Sequence, residues 1–247
     1  MIIVFSGEGP TDLGSAYAGT FSPGPVALMI NRWLSKRIGY SLLETNGASH
    51  YVCKATLADV AKQLPRAAFL RGKKADRAGL SLETRYYFQN ARALVAWIRE
   101  QRLDQPAIAL LFRDADGTAS AGRGEWDKKV RSVIHGFRYE QYQYGVAAIA
   151  KPKSEAWFLC AVKYNYANCQ SIEASSSGND ASPNSLKQQL EAAMHQRFGC
   201  GCTGDELNQR VSDGHIDEQE IDMQSLNLVK SQCNDVLDLI IGVPPRT

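Results

Sequence analysis

The chain has 247 residues, 44% of them hydrophobic and 22% charged, which excludes a disordered protein and fits one domain, or one domain with an appendage. A formal net charge of +2 and a pI near 8.2 are too mild to announce a polyanionic partner, so basic residues have to be judged locally. No run approaches the roughly 20 apolar residues of a membrane span and no leader pattern opens the chain, so a cytoplasmic protein without membrane contact is expected.

In chain order, residues 1–6 read as an apolar strand, followed by a glycine-rich loop to about Pro25 and an amphipathic helix from Val26 to Arg37. The loop "GEGPTDLGSAYAG" fails the G-x-G-x-x-G spacing of dinucleotide sites, and Glu8 would set an anion against a pyrophosphate. Next, either Tyr51-Val52-Cys53 or Ala67-Ala68-Phe69-Leu70 is a short strand, with Leu57–Leu64 helical between them. From Leu82 to Arg102, Tyr87, Ala91, Leu94, Val95 and Ile98 recur at helical spacing, which predicts a long amphipathic helix. Tyr86, Tyr87 and Phe88 on that helix fit a core better than a platform for stacked bases.

Gln105-Pro106 ends the helix, and Ala107–Phe112 is a continuous apolar run of the kind buried on both faces of a parallel sheet. A helix at 125–134, a strand at Val146–Ala150 and a helix at Ala156–Tyr166 follow. Residues 171–185 form a polar, turn-rich loop, and the tail from Leu186 reads as helices. The expected fold is α/β: a parallel central sheet with helices on both faces over residues 1–165, and a mainly helical extension over 166–247. Six scattered cysteines are expected as reduced thiols. Cys200-Gly201-Cys202 with His195 and Cys169 lacks zinc-knuckle spacing and reads as a tight turn before a helix beginning at Thr203-Gly204-Asp205.

Three predicted strands end in charged residues: Glu8 and Asp12, then Asp114 and Asp116, then Lys151, Lys153 and Glu155. Single acidic residues there are often helix caps, but three such clusters on one sheet edge mark the place where open α/β folds bind ligands. Two carboxylates spaced by one residue as the chain leaves a strand point the same way. An oxygen-rich site of this kind suits a hard divalent cation such as Mg²⁺ or Mn²⁺.

"EGPTD" after a first strand and "RDADG" after a later one resemble the Toprim domain of topoisomerases, bacterial primases and nucleases related to the overcoming-lysogenization-defect family. The resemblance covers residues 1–165 and implies a compact parallel α/β fold that binds Mg²⁺ and performs phosphodiester chemistry. It places Glu8 as the family glutamate, a metal ligand or general base, Asp114 and Asp116 as the DxD ligands, and Asp12 as the second acidic position of the nuclease branch. Lys151 or Lys153 takes the part of the branch's basic residue, and Ser154-Glu155 resembles its serine and acidic pair, although here the two are adjacent. No tyrosine stands where a topoisomerase nucleophile is expected, so hydrolysis is favoured over strand passage.

DNA or RNA is the implied partner, tracked by basic clusters at Arg71, Lys73, Lys74 and Arg77 and at Lys128, Lys129 and Arg131. Short basic runs of this kind are also ordinary solvated faces. The signature G-x-x-x-x-G-K-[ST] is absent from the chain, so an accompanying ATPase or sensor would be a separate subunit. Similar Toprim-like proteins accompany phage-defence loci, which implies a defence effector; whether it forms a homo-oligomer stays open.

Two other readings compete. "LLFRDADGT" also resembles the opening of haloacid-dehalogenase-like phosphatases, with Asp114 as nucleophile and Lys151 and Asp180 completing the site. That motif usually begins its domain, whereas here a βα unit precedes it. A Toprim-like scaffold or regulatory subunit without turnover is the third reading.

Overall fold

The computed structural model describes residues 1–7, 9–17, 20–65, 67, 84–115, 125–174 and 184–242. Six strands and nine helices are described: β1 (Ile2–Ser6), β2 (Gly14–Tyr17), β3 (Thr20–Pro23), α1 (Pro25–Ile38), β4 (Ser49–Val52), α2 (Lys54–Gln63), α3 (Arg85–Glu100), β5 (Ala107–Asp114), α4 (Trp126–Tyr139), β6 (Gly145–Ala150), α5 (Glu155–Val162), α6 (Cys169–Glu173), α7 (Leu186–Phe198), α8 (Gly204–Ser212) and α9 (Gln224–Ile241). A single π-helical turn, Gly9–Leu13, follows β1.

Four strands form one wholly parallel sheet in the order β4-β1-β5-β6. Alternation along each strand builds two cores. Ile3, Phe5, Ile108, Leu110, Phe112, Val146 and Ala148 face one side with α1, α5 and the C-terminal helices. Ile2, Val4, Ala107, Ala109, Leu111, Ala147 and Ile149 face the other, where α3 and α4 lie. From β1 the chain steps to β4 on one flank, and from β4 it crosses back to β5 on the other. Crossovers of one hand that step in opposite directions put their helices on opposite faces, which accounts for the layering. Order reverses at β1 and β5, so their carboxyl ends flank the switch point where such sheets leave a crevice.

The segment expected as a loop to Pro25 contains an antiparallel hairpin, β2–β3. Two glycines permit it. Gly14 has φ +100, and a Cβ there would stand 2.0 Å from the Ser22 carbonyl; at Gly24 it would meet the Asp12 carbonyl at 2.4 Å. Phe21 of the hairpin stacks on Tyr51 of β4 at 5.5 Å. Of the two strand candidates between α1 and α3, Ser49–Val52 is the strand; Ala68, Phe69 and Leu70 lie outside the described residues.

β6 is an edge strand whose outward groups are occupied. Gln232 of α9 accepts from the Ala147 amide at 3.0 Å and donates to its carbonyl at 3.3 Å, and the Trp126 indole donates to the Ile149 carbonyl at 2.8 Å. An unpaired strand edge is a template for unwanted pairing, and these side chains blunt it.

α5 ends at Val162 rather than near Tyr166. Arg197 of α7 donates to the carbonyls of Ala161 and Val162, and Asn165, Tyr166 and Asn168 turn the chain with positive φ. That turn brings Cys169 back to Cys160, with Cα atoms 5.1 Å apart, and the two are joined as a disulfide rather than standing as the thiols expected. Glu173, expected in a polar loop, belongs to α6 and is buried. The turn before α8 is as the sequence suggests: Thr203 and Glu206 form a capping box. Among the described residues, no helix is long and apolar enough to cross a membrane.

Candidate functional site

Side chains from three segments meet at the carboxyl edge of the sheet. Asp12 is carried by the π-helical turn after β1, Asp114 ends β5, and Ser154 begins the turn into α5 after β6. The Ser154 hydroxyl donates to Asp12 Oδ1 at 2.5 Å and its backbone N–H donates to Asp114 Oδ1 at 3.0 Å, so one residue, 1% exposed, holds both carboxylates. Hydrogen bonds to ionised acceptors are the short, strong ones, and this pair orients both acids. The neighbouring Glu155 carboxylate lies 3.5 Å from the same hydroxyl.

The backbone beneath is pinned from several sides. The Ala115 amide is shared by the carbonyls of Ala150 and Pro152, each at 2.9 Å, which locks the end of β5 to the turn after β6. Tyr87, buried on α3, donates its hydroxyl to the Asp114 carbonyl at 3.2 Å. The Lys129 ammonium donates to the Ala115 carbonyl and lies 5.8 Å from the centre of the Tyr87 ring. Arg113 is 1% exposed, bonded to the Phe112 carbonyl and set over the Tyr86 ring. Two buried cations therefore stand beside the strand end that carries the Asp114 carboxylate.

Electrostatic effects at Tyr51, at the end of neighbouring β4, report the same grouping. Burial raises its hydroxyl above the usual range, the Cys53 thiol and the Asp12 carboxylate push the same way, and Arg113 opposes them. Cys53 is exposed and begins α2; bonds from the Thr56 hydroxyl and amide hold its thiol below the ordinary value. On the α5 side, burial pushes the Cys202 thiol up to about 12, with added repulsion from Glu191, Glu155 and Glu206.

Comparison of the chain with protein-family models, with curated proteins and with solved structures finds no match.

Of the residues singled out in the sequence, the structure brings Asp12, Asp114 and Glu155 together around Ser154. Lys151 lies on the same rim, 5.4 Å over the Trp126 ring, and half-buried Lys153 immediately precedes Ser154. Glu8, Asp116, Asp180 and the cluster Arg71, Lys73, Lys74 and Arg77 lie outside the described residues. Lys128 and Arg131 are on the solvent side of α4. Lys129 is not: at 1% exposure it belongs beneath the site rather than on a phosphate-tracking surface. Its position is explained by the apolar stripe of α4, since it precedes Val133 by one turn and Phe137 by two, and that spacing was the available signal. The sequence reading also missed the Tyr87 hydroxyl, because its helical spacing announces only a core residue. Tyr87 and Phe88 are indeed core.

Proposed function

We propose that the protein hydrolyses phosphodiester bonds of nucleic acid with the help of a divalent cation, as a nuclease of the Toprim type. The observation that carries this reading is the bridging of Asp12 and Asp114 by Ser154 at the switch point of a parallel sheet. Carboxylate oxygens are the donor chemistry that Mg²⁺ and Mn²⁺ prefer, and a carboxylate has about four acceptor positions, so a bond from Ser154 is compatible with metal ligation. Among the described residues, no group of three or more His, Cys, Asp or Glu side chains forms a cation site. Asp12 and Asp114 are thus part of a ligand set that Glu8 and Asp116 would complete.

A cation held there would supply positive charge for the scissile phosphate and lower the pKa of a water. The chain's own residues do the rest. Ser154 keeps two acids aligned before substrate arrives, so little reorganisation accompanies binding. Lys151 and Lys153 supply positive charge at the rim, against the additional negative charge of a five-coordinate phosphorus. Glu8 is the candidate to take a proton from the attacking water. Lys129 and Tyr87 hold the Asp114–Ala115 backbone, so Asp114 leaves the strand in one direction. A role as the effector of a phage-defence system, switched by a separate ATPase or sensor, fits such a hydrolase and rests on the resemblance alone.

The test is incubation of the purified protein with supercoiled plasmid, single-stranded DNA and RNA in Mg²⁺ or Mn²⁺, beside Asp12→Asn and Asp116→Ala variants. Metal-dependent cleavage lost in both variants is expected. Release of p-nitrophenol from p-nitrophenyl phosphate with intact nucleic acids would replace this reading with the phosphatase. Silence on every substrate, with nucleic acid bound or unbound, would favour the scaffold.

A further inference from the structure

The chain is electrically lopsided in a way its total of +2 conceals. Residues 201–247 carry nine Asp and Glu against three Lys and Arg, a net of −6, which leaves +8 for residues 1–200. Asymmetry of this size points to a polyanion on one side of a molecule. Part of the positive charge is consumed inside the fold. On α1, Lys36 pairs with Glu218 at 2.8 Å, Arg32 with the same carboxylate at 3.4 Å, and Arg37 with Asp238 at 2.6 Å.

α4 differs. Lys128, Arg131, His135 and Arg138 fall at i, i+3, i+7 and i+10, which places them on one stripe spanning about 15 Å. Among the described residues, Arg131 and Arg138 are in no ion pair: Arg131 donates only to the Asp127 carbonyl, and Lys128 reaches the highly exposed Glu125 at 3.6 Å. Asp127 and Glu125 sit at the first turn, where acids answer the helix dipole. The charges are mutually felt, because His135 is lowered by burial and then by Arg138 and Arg131. The stripe also has a direction. The first turn of α4 stands at the acidic edge, with Trp126 bonded to the Ile149 carbonyl and lying under Lys151, and the last turn ends at Arg138 on a groove of about 340 Å³ shared with Tyr142, Gln143 and, from α9, Gln232 and Asp235, so the basic track stops at Arg138.

We propose that the outer face of α4, through Lys128, Arg131 and Arg138, is the track along which the phosphate backbone of a polynucleotide leads to the Asp12–Asp114 edge. This inference rests on the nucleic-acid reading of that edge and sharpens it: a substrate that needs a track of several phosphates is a polymer, not a small phosphoester. The acidic first turn of α8, which packs on α1 across the sheet from α4, repels the same polymer and so favours the α4 side.

The experiment is fluorescence anisotropy of a labelled single strand of about 30 nucleotides, and of its duplex, in EDTA at about 50 to 200 mM salt. Wild type is compared with the double variant Arg131→Glu/Arg138→Glu and with Lys163→Glu/Lys187→Glu, which makes the same change in net charge at α5 and α7. Melting curves establish that each variant is folded. Expected is a loss of at least about tenfold in affinity for the α4 variant alone, with the slope of log K against log salt shallower by about 1.4, the loss of two phosphate contacts on a single strand. Equal binding by both double variants, or no binding by wild type, would overturn the track. Binding through α4 without cleavage in any metal would leave the track standing and remove the hydrolase. Cleavage with an unchanged KM in the α4 variant would do the reverse.

Discussion

Two serine–carboxylate clusters are built into this fold, and their difference separates structure from function. In one, Glu173 of α6 accepts from the backbone of Gln224 at 2.8 Å, from the backbone of Ser225 at 2.7 Å and from the Ser225 hydroxyl, while the Trp157 indole donates to that hydroxyl at 2.9 Å. α9 has no side-chain cap of its own, and Glu173 provides it from 52 residues upstream. Both of its oxygens are turned into the protein, at 7% exposure. In the other cluster, Ser154 draws Asp12 and Asp114 together from two different segments, and both acids stay half-exposed at the mouth of the sheet. The same chemical pair thus closes a helix in one place and holds acids toward solvent in the other.

Substitutions that separate the two clusters test this contrast. The largest effect is expected at Asp114→Asn, an isosteric change that keeps an acceptor for Ser154: cleavage should fall about 10³-fold or more, beyond the 10–100-fold typical of orienting partners, while the melting temperature stays near wild type. Glu173→Ala should do the opposite. Three donors at a helix start lose a charged acceptor, a cost of about 3 kcal/mol, or roughly 6–12 °C in Tm, with the specific activity of the folded fraction unaltered. A smaller change is expected for Ser154→Ala, which removes the hydroxyl but not the N–H: about 10–100-fold in rate, partly restored by Ser154→Thr, since either hydroxyl can reach Asp12. Smallest is Tyr87→Phe, which leaves the Asp114 carbonyl one donor short and should cost about 1 kcal/mol in denaturant unfolding.

Much of the sheet was readable because β1, β5 and β6 are buried on both faces, and a short continuous apolar run bounded by turn residues suits a central parallel strand. α3 and α4 were readable from their stripes. β4 was ambiguous because "SHYV" is a short, half-exposed edge, and the β2–β3 hairpin was missed because its residues are mostly exposed and its strands lack an apolar alternation. In the site, Asp12, Asp114 and Glu155 were visible as acids at strand ends, a local pattern. Lys129 was misread because a lysine in a basic run looks solvated until the whole face of its helix is drawn. Glu173 was lost in a polar string, since its partners at 224 and 225 are fixed only by the packing of α9. Local patterns announce themselves in a sequence, whereas a buried polar group is defined by partners from distant segments.

The most direct test of the central claim is calorimetric titration of Mn²⁺ into wild type and into the Asp12→Asn/Asp114→Asn double variant. Saturable binding by wild type, weakened at least about tenfold in the variant with its fold intact, is the predicted result. Equal binding by the two proteins, or none by wild type, would contradict a metal-dependent site at the carboxyl edge of the sheet.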